Sequence, residues 1–282
     1  MNIAIVTDST CDLPDDLVSL HQIHVVPNII IMDGVSVEDN KDFSRSDFYR
    51  KLPEMESFPT TSTASVGTYQ TLYEGLIDDG YDLILSIHVS QKLSGIFNTA
   101  NIAGQSLEGR VTVIDSLQIS LGLGFQVLEA AEAITQGLSL DSIVSMLENV
   151  RQRTRLVAML DTLEYIHRSG RVSWAKARLG ALLNLKPFVE VVDGNVNSLG
   201  EVRTRRKGKV RLFEMMQNPK PLQRFGVLHT NAEEEAREIL ARLNPKMNSE
   251  PLVVNVNTAI GAHVGPNGLG FVALYLEETS KF

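Results

Sequence analysis

The chain has 282 residues, 43% hydrophobic and 21% charged side chains and a formal net charge of −8, a composition that excludes a disordered or fibrous protein and fits roughly two soluble domains. The acidic balance argues against wholesale nucleic-acid binding, and no apolar run reaches the ~18 residues of a membrane span. A single cysteine, Cys11, excludes an internal disulfide and a thiolate metal cluster; it is either a nucleophile or a small packed residue.

Read in order, the first half alternates aliphatic runs with helical periodicity, the pattern of βαβ units and a mostly parallel sheet. Residues 2–7 form a strand at the very start, with no basic segment or long apolar region before it, so no signal peptide is expected and a cytoplasmic location is the default. Asp12, Leu13 and Pro14 then open a short helix, with Asp12 or a neighbour as cap. Residues 24–32 are extended, and Asp33-Gly34 is a tight turn into 35–37. Ser44 followed by Asp47 has capping-box form and starts a helix through Leu52. Residues 82–89 are the clearest buried strand and 111–114 another, with a helix over 94–107 between them. Periodic segments 119–135 and 140–150 complete a helical layer. The boundary falls near 155, giving an N-terminal α/β domain over 1–155 and a C-terminal mixed α/β domain over 156–282. In the second, 156–160, 188–192, 224–230, 252–256 and 270–276 read as strands, 163–167 and 232–243 as helices, and Asp193-Gly194-Asn195 as a hairpin turn.

Two hydroxyl-rich segments are candidates for a ligand site: Phe58-Pro-Thr-Thr-Ser-Thr-Ala-Ser65 and Leu93-Ser-Gly95. In a parallel sheet the loops at one rim collect ligands, so Thr61, Ser62 and Ser94 could converge. Ser65 and Ser94 also directly precede helices, where capping is the ordinary role of serine. Residues 261–270 hold four glycines, a proline and His263; the segment is either a close backbone approach to a ligand or a tight loop with a structural histidine. Asp8 and Asp115 stand at strand ends, where accepting backbone N–H bonds in turns is commonest. No phosphate loop, zincin or nucleophile-elbow motif is present, and Gly122-Leu-Gly124 lies within a helix, which disqualifies it as a dinucleotide fingerprint. No metal or cofactor is assigned. Residues 151–211 carry fourteen Lys and Arg against five Asp and Glu, either a solvated face or a docking surface for an acidic or phosphate-bearing partner.

The ordered motifs Val6-Thr-Asp-Ser-Thr-Cys-Asp-Leu-Pro14, Thr61-Ser62 with Ser65, Leu93-Ser-Gly95, Val113-Ile-Asp-Ser116, Leu163-Glu-Tyr165, Gly170-Arg171, Leu185-Lys-Pro187 and Gly261, His263, Gly265, Pro266 resemble the DegV family over essentially the whole chain. The resemblance implies a three-layer α/β/α domain with a mostly parallel sheet, and a two-layer α/β domain with a mixed sheet. It implies a fatty-acid-binding protein without an ATP site of its own, which in many bacteria serves a dihydroxyacetone-kinase-like partner, the fatty acid kinase. By the same resemblance the carboxylate lies at Thr61 and Ser94, with Ser62 and His263 close by, and Arg171 and Arg203 meet the kinase. This chain departs from the family pattern at Thr63, Ala64, Ile96, Ser169 and Asn267; Ile96 places an apolar group where the family carries a hydroxyl. A lipid carrier without a kinase and a serine hydrolase using Ser94 and His263 are the alternatives.

Overall fold

Aliphatic strands of four to six residues need cover on both faces, and the first half provides it. In a computed structural model, which describes residues 2–39, 43–107, 109–176, 185–247 and 249–277, this half contains β1 (Ile3–Asp8), α1 (Asp15–Leu20), β2 (Ile23–Val26), β3 (Ile29–Met32), β4 (Val35–Glu38), α2 (Arg45–Lys51), β5 (Thr60–Ser62), α3 (Val66–Asp78), β6 (Leu83–His88), α4 (Ile96–Gly104), β7 (Val111–Asp115), α5 (Leu121–Thr135) and α6 (Leu140–Arg153). The sheet order is β2-β1-β6-β7, all parallel. Strands β4-β3-β5 form a separate antiparallel sheet.

The second half contains β8 (Thr154–Met159), α7 (Glu164–Ser169), α8 (Ser173–Lys176), β9 (Lys186–Val192), β10 (Asn195–Val202), α9 (Arg205–Met216), β11 (Leu222–His229), α10 (Glu233–Leu243), β12 (Leu252–Asn255), α11 (Thr258–Val264) and β13 (Leu269–Tyr275). Its sheet runs β10-β9-β8-β13-β11-β12, antiparallel except for the β11–β12 pair. Helices α3 and α4 cover one face of the parallel sheet and α5 the other, while α5 and α6 also pack on the mixed sheet and α9 and α10 cover its far side. Twelve of the fifteen residues of α5 are buried, because it is sandwiched between two sheets. One aliphatic core therefore runs from Ile5 and Leu85 through Phe125 and Leu128 to Val272 and Leu274. A second, with Phe188, Phe225 and Phe271, lies under α9 and α10.

The expected α/β architecture is the one observed, and the Asp33-Gly34 and Asp193-Gly194 turns both have positive φ at their two central residues, as a type I′ hairpin requires. Local chemistry departs from expectation in several places. The extended segment 24–32 breaks at Pro27 and Asn28, and its halves join different sheets. Asp12 caps nothing at α1: it is left-handed (φ 55) and buried, and Pro14 takes the N-cap position. Thr61 and Ser62, read as a loop, form the strand β5, paired to Ile30 and Ile29. The glycine-rich segment around His263 is the helix α11, capped by the Asn257 side chain, which accepts from Ile260 N. Helix α9 carries five basic residues and only a few buried apolar ones, and no apolar stripe announces it. Gly124 serves contact with the β1–α1 connection: a Cβ there would strike the carbonyl oxygen of Cys11.

Candidate functional site

Strands β1 and β6 end side by side, at Asp8 and His88, and the loops that leave them line a cavity of about 640 Å³. Thr10, Asn28, Thr61, Ser62, Ser94, Ile96, Arg171, Ile260 and His263 are all on its wall. The cavity lies at the carboxyl ends of the parallel strands, where α/β sheets collect ligands, and its size is ordinary for a small-molecule site. Thr61, Ser62, Ser94, His263 and Arg171 thus meet at one place. Arg203 does not; it is exposed just past the end of β10 and is not on the cavity wall.

The two serines that precede helices separate cleanly. Ser65 caps α3, its Oγ accepting from Thr68 N at 3.0 Å. Helix α4 begins at Ile96 with Gly95 as cap and no side-chain cap bond. Ser94 Oγ accepts from Ile96 N at only 3.4 Å, so its O–H remains available to a ligand. Thr61 Oγ1 lies 2.9 Å from His263 Nε2. Among the described residues His263 has no bond to Ser94 and no carboxylate partner, so the geometry lacks the serine–histidine–acid relay a hydrolase needs.

Burial, and then the nearby charge of Arg171, push the His263 imidazole down to about 4, so it is neutral near pH 7. Burial likewise pushes His229 down to about 4 and pushes Asp12 up to about 6 against the bonds it accepts from Arg45, Ser120 and Asn257. The two histidines bind protons more readily unfolded than folded, so their contribution is full above pH ~6.5 and is lost as pH falls through about 4. Asp12 opposes them: its contribution is present below its unfolded value of 3.8 and is lost as pH rises through about 6. His263→Gln is therefore expected to flatten the fall in unfolding free energy between pH ~6.5 and ~4 by up to about 3 kcal/mol. Urea titrations across that range measure it, and an unchanged profile would contradict a neutral, desolvated His263.

Behind the cavity lies a fully buried polar chain. Tyr73 Oη is 2.8 Å from Ser86 Oγ, Ser86 Oγ is 2.7 Å from His88 Nε2, and His88 Nδ1 is 2.9 Å from Asp8 Oδ2. Asp8 Oδ2 also accepts from Val89 N at 3.2 Å, and Asp8 Oδ1 accepts from Thr10 N at 3.1 Å and from Thr10 Oγ1. Burial alone would raise the Asp8 carboxyl, but the His88 bond and charge, with the Thr10 and Val89 donors, outweigh it and hold the group below its ordinary value. Asp8 thereby ties the Thr10 turn to the start of the Ser94 loop. Thr10 is a cavity residue beyond those expected from the sequence, and its place just past the carboxyl end of a parallel strand is the signal that marks it. Asp115 plays the expected turn role, accepting from Leu117 N at 2.9 Å.

A second, smaller space of about 100 Å³ adjoins the first, between residues 119–120, α7, α11 and the mixed sheet. Ile119, Ile166, Val196, Ile260 and Val264 line both, and Leu156, Leu160, Val189 and Leu228 line the inner part. Polar hydroxyls at one end and aliphatic walls at the other describe a channel for an amphipathic ligand with a small polar head. Ile96, on the wall beside Ser94, narrows the head end with an apolar group.

The basic segment 151–211 is largely engaged within the fold. Arg205 pairs with Asp161 and Glu235, Lys186 with Asp161, Lys209 with Glu235 and Arg168 with Glu164. The Arg211 guanidinium lies 4.8 Å from the centre of the Phe188 ring. Arg171 and Arg203 are exposed and form no ion pair among the described residues. No helix among the described residues is long and apolar enough to cross a membrane.

A family model described as "Uncharacterised protein, DegV family" matches residues 2–276. A DegV domain-containing protein of Listeria monocytogenes is 34% identical over 273 residues, covering 95% of this chain and 96% of the relative. Protein DegV of Bacillus subtilis is 34% identical over 280 residues, covering 96% and 98%. Among solved structures, a fatty-acid-binding DegV family protein from Thermus thermophilus superimposes with a TM-score of 0.88 at 34% identity, over 98% of this chain and all of that one. DegV of Bacillus subtilis, described as a fatty acid binding protein, gives 0.87 at 32% identity over 98% and 100%.

Proposed function

The chain belongs to the DegV family, and from that premise we propose that it binds a long-chain fatty acid and presents the carboxylate to a partner kinase for phosphorylation to acyl phosphate. The observation that carries the reading is a hydroxyl-lined cavity that shares five aliphatic wall residues with an apolar space lying against the mixed sheet, together with the fatty-acid-binding relatives of the same fold. Ser94 and Thr61 donate to the carboxylate. His263, neutral, holds Thr61 from behind, and its Nε2–H to Thr61 leaves the threonine O–H for the ligand. The carboxylate must later act as nucleophile, and neutral donors orient it without the full charge pairing of an arginine.

Affinity comes from the tail. About fourteen buried CH₂ groups at ~0.8 kcal/mol each set an upper bound of about 11 kcal/mol before ordering costs. The partner supplies nucleotide, Mg²⁺ and phosphate ligands, since phosphoryl transfer rests on alignment and charge neutralisation. Arg171 at the cavity mouth and Arg203 further along the same half belong to the docking surface. A carrier without a kinase shares the site and differs only in lacking this last step.

Mass spectrometry of the organic extract of gently purified protein tests the ligand class: a stoichiometric long-chain acid is expected, and protein that neither carries nor takes up such an acid overturns the reading. Ser94→Ala is expected to slow acyl-phosphate formation with the kinase by about 10- to 100-fold while weakening acid retention by about tenfold at most, the worth of one hydrogen bond. Retention lost in proportion to turnover would contradict the orienting role of Ser94.

A further inference from the structure

We propose that His229 is the stop at the far end of the acyl channel and sets the longest tail the site accepts, an inference that rests on the fatty-acid reading above. His229 is the last residue of β11 and is only 4% exposed. It lies on the wall of the aliphatic inner space and also on the wall of a separate polar cavity of about 580 Å³, where Asp161, Arg205, Glu234 and Asn267 are found. This residue therefore stands between an apolar space and a polar one.

The partition is held firmly. His229 Nδ1 accepts the Ala232 N–H at 3.3 Å, and its carbonyl accepts Val256 N at 2.8 Å. The neighbouring Thr230 Oγ1 accepts Gly268 N at 2.6 Å. A neutral imidazole suits the position, with one nitrogen turned to the helix start and carbon edges available to a hydrocarbon. Gly268 and Gly270, which share the end of the channel, present no side chain. At Gly270 a Cβ would come within 2.8 Å of the Val157 carbonyl oxygen, so that position cannot supply a stop. Each methylene beyond the ring would leave aliphatic surroundings for a polar cavity and lose its transfer gain.

The test compares the wild type with His229→Asn, His229→Ala and His229→Phe, each loaded with an equimolar mixture of straight-chain acids of about 14 to 24 carbons and analysed by mass spectrometry after removal of free lipid. Asparagine keeps an acceptor for the Ala232 N–H in a smaller side chain, so the partition opens without loss of the helix start. The ratio of acids of about 22 carbons to those of about 16 is expected to rise about tenfold or more in His229→Asn and His229→Ala, and not in His229→Phe. A ratio unchanged in folded His229→Asn, with shorter acids still retained, overturns the stop and leaves fatty-acid binding intact. A wild-type protein that retains none of the acids overturns the fatty-acid reading itself, and the stop with it.

Discussion

Replacing Asp8 with asparagine is expected to destabilise the protein by about 3 kcal/mol or more, although the side chain is nearly isosteric. Every bond that the Asp8 carboxylate makes is accepted: Thr10 N and Thr10 Oγ1 donate to one oxygen, His88 Nδ1 and Val89 N to the other. Asparagine offers one acceptor and turns an NH₂ towards two donors inside a site with no water access, since Asp8 and His88 are both wholly buried. Either choice of amide orientation leaves a backbone N–H, of Thr10 or of Val89, without a partner at about 1–3 kcal/mol, forces the Thr10 hydroxyl or the His88 tautomer to reverse, and removes the carboxylate charge from a buried site. Urea unfolding followed by circular dichroism gives the difference directly, and a loss below about 1 kcal/mol would show that the buried chain contributes little. The same change frees the Thr10 turn and the start of the Ser94 loop, so acid retention is expected to fall with stability.

Gly261→Ala is the second large effect, and it acts through a single methyl group. That methyl would sit 2.5 Å from Tyr49 Oη and 2.7 Å from Cε1 and Cζ of the ring. Tyr49 has nowhere to go: it is 1% exposed, its hydroxyl donates to the Val256 carbonyl at 2.9 Å, and Phe48 packs edge-on against it at 5.5 Å. Helix α11 must move instead, and it carries Ile260, His263 and Val264, all on the cavity wall. Overpacking of this kind costs about 1–3 kcal/mol, and a shift of about 1 Å at His263 is expected to lower acid retention about tenfold or more. Gly75, in the middle of α3 with nothing within 4 Å of its Cβ position, is the matched control: alanine there is expected to stabilise by about 0.5–1 kcal/mol and leave retention unchanged. Similar melting curves and acid loading for the two variants would show that α11 can yield to Tyr49 without cost.

Much of the scaffold was readable from pattern because its strands are aliphatic and its helices follow hydrophobic periodicity. The strands around 82–89 and 111–114, the Ser44 and Ser65 caps and both Asp-Gly turns depend on local chemistry, and local chemistry is what a sequence displays. Helix α11 was hidden because Gly261 and His263 dilute its helical signal; the glycine is there for Tyr49, which is over two hundred positions away. Strand β5 was hidden because three residues of Thr and Ser between Pro59 and Thr63 gain their conformation from pairing with β3. The grouping of Thr61, Ser94 and His263 could not be computed from spacing, since it depends on two crossovers and on the seating of α11 against β3 and β5. His229 carried no sequence signal at all: its role follows from the two spaces on either side of the ring.

The position of β13 has a consequence for synthesis on the ribosome. The parallel sheet uses strands that end by Asp115, so it can assemble while the rest of the chain is still being made. The mixed sheet cannot follow in the same way, because its interior strand, between β8 and β11, is the last to emerge. Until residues 269–275 leave the exit tunnel, β8 and β11 are both open edges with unpaired N–H and C=O groups, and the outer faces of α5 and α6 lack the sheet that buries them. The nascent protein therefore passes through a long interval with half its architecture complete and its central helical layer uncovered, a stage at which chaperone protection matters more than the stability of the finished fold.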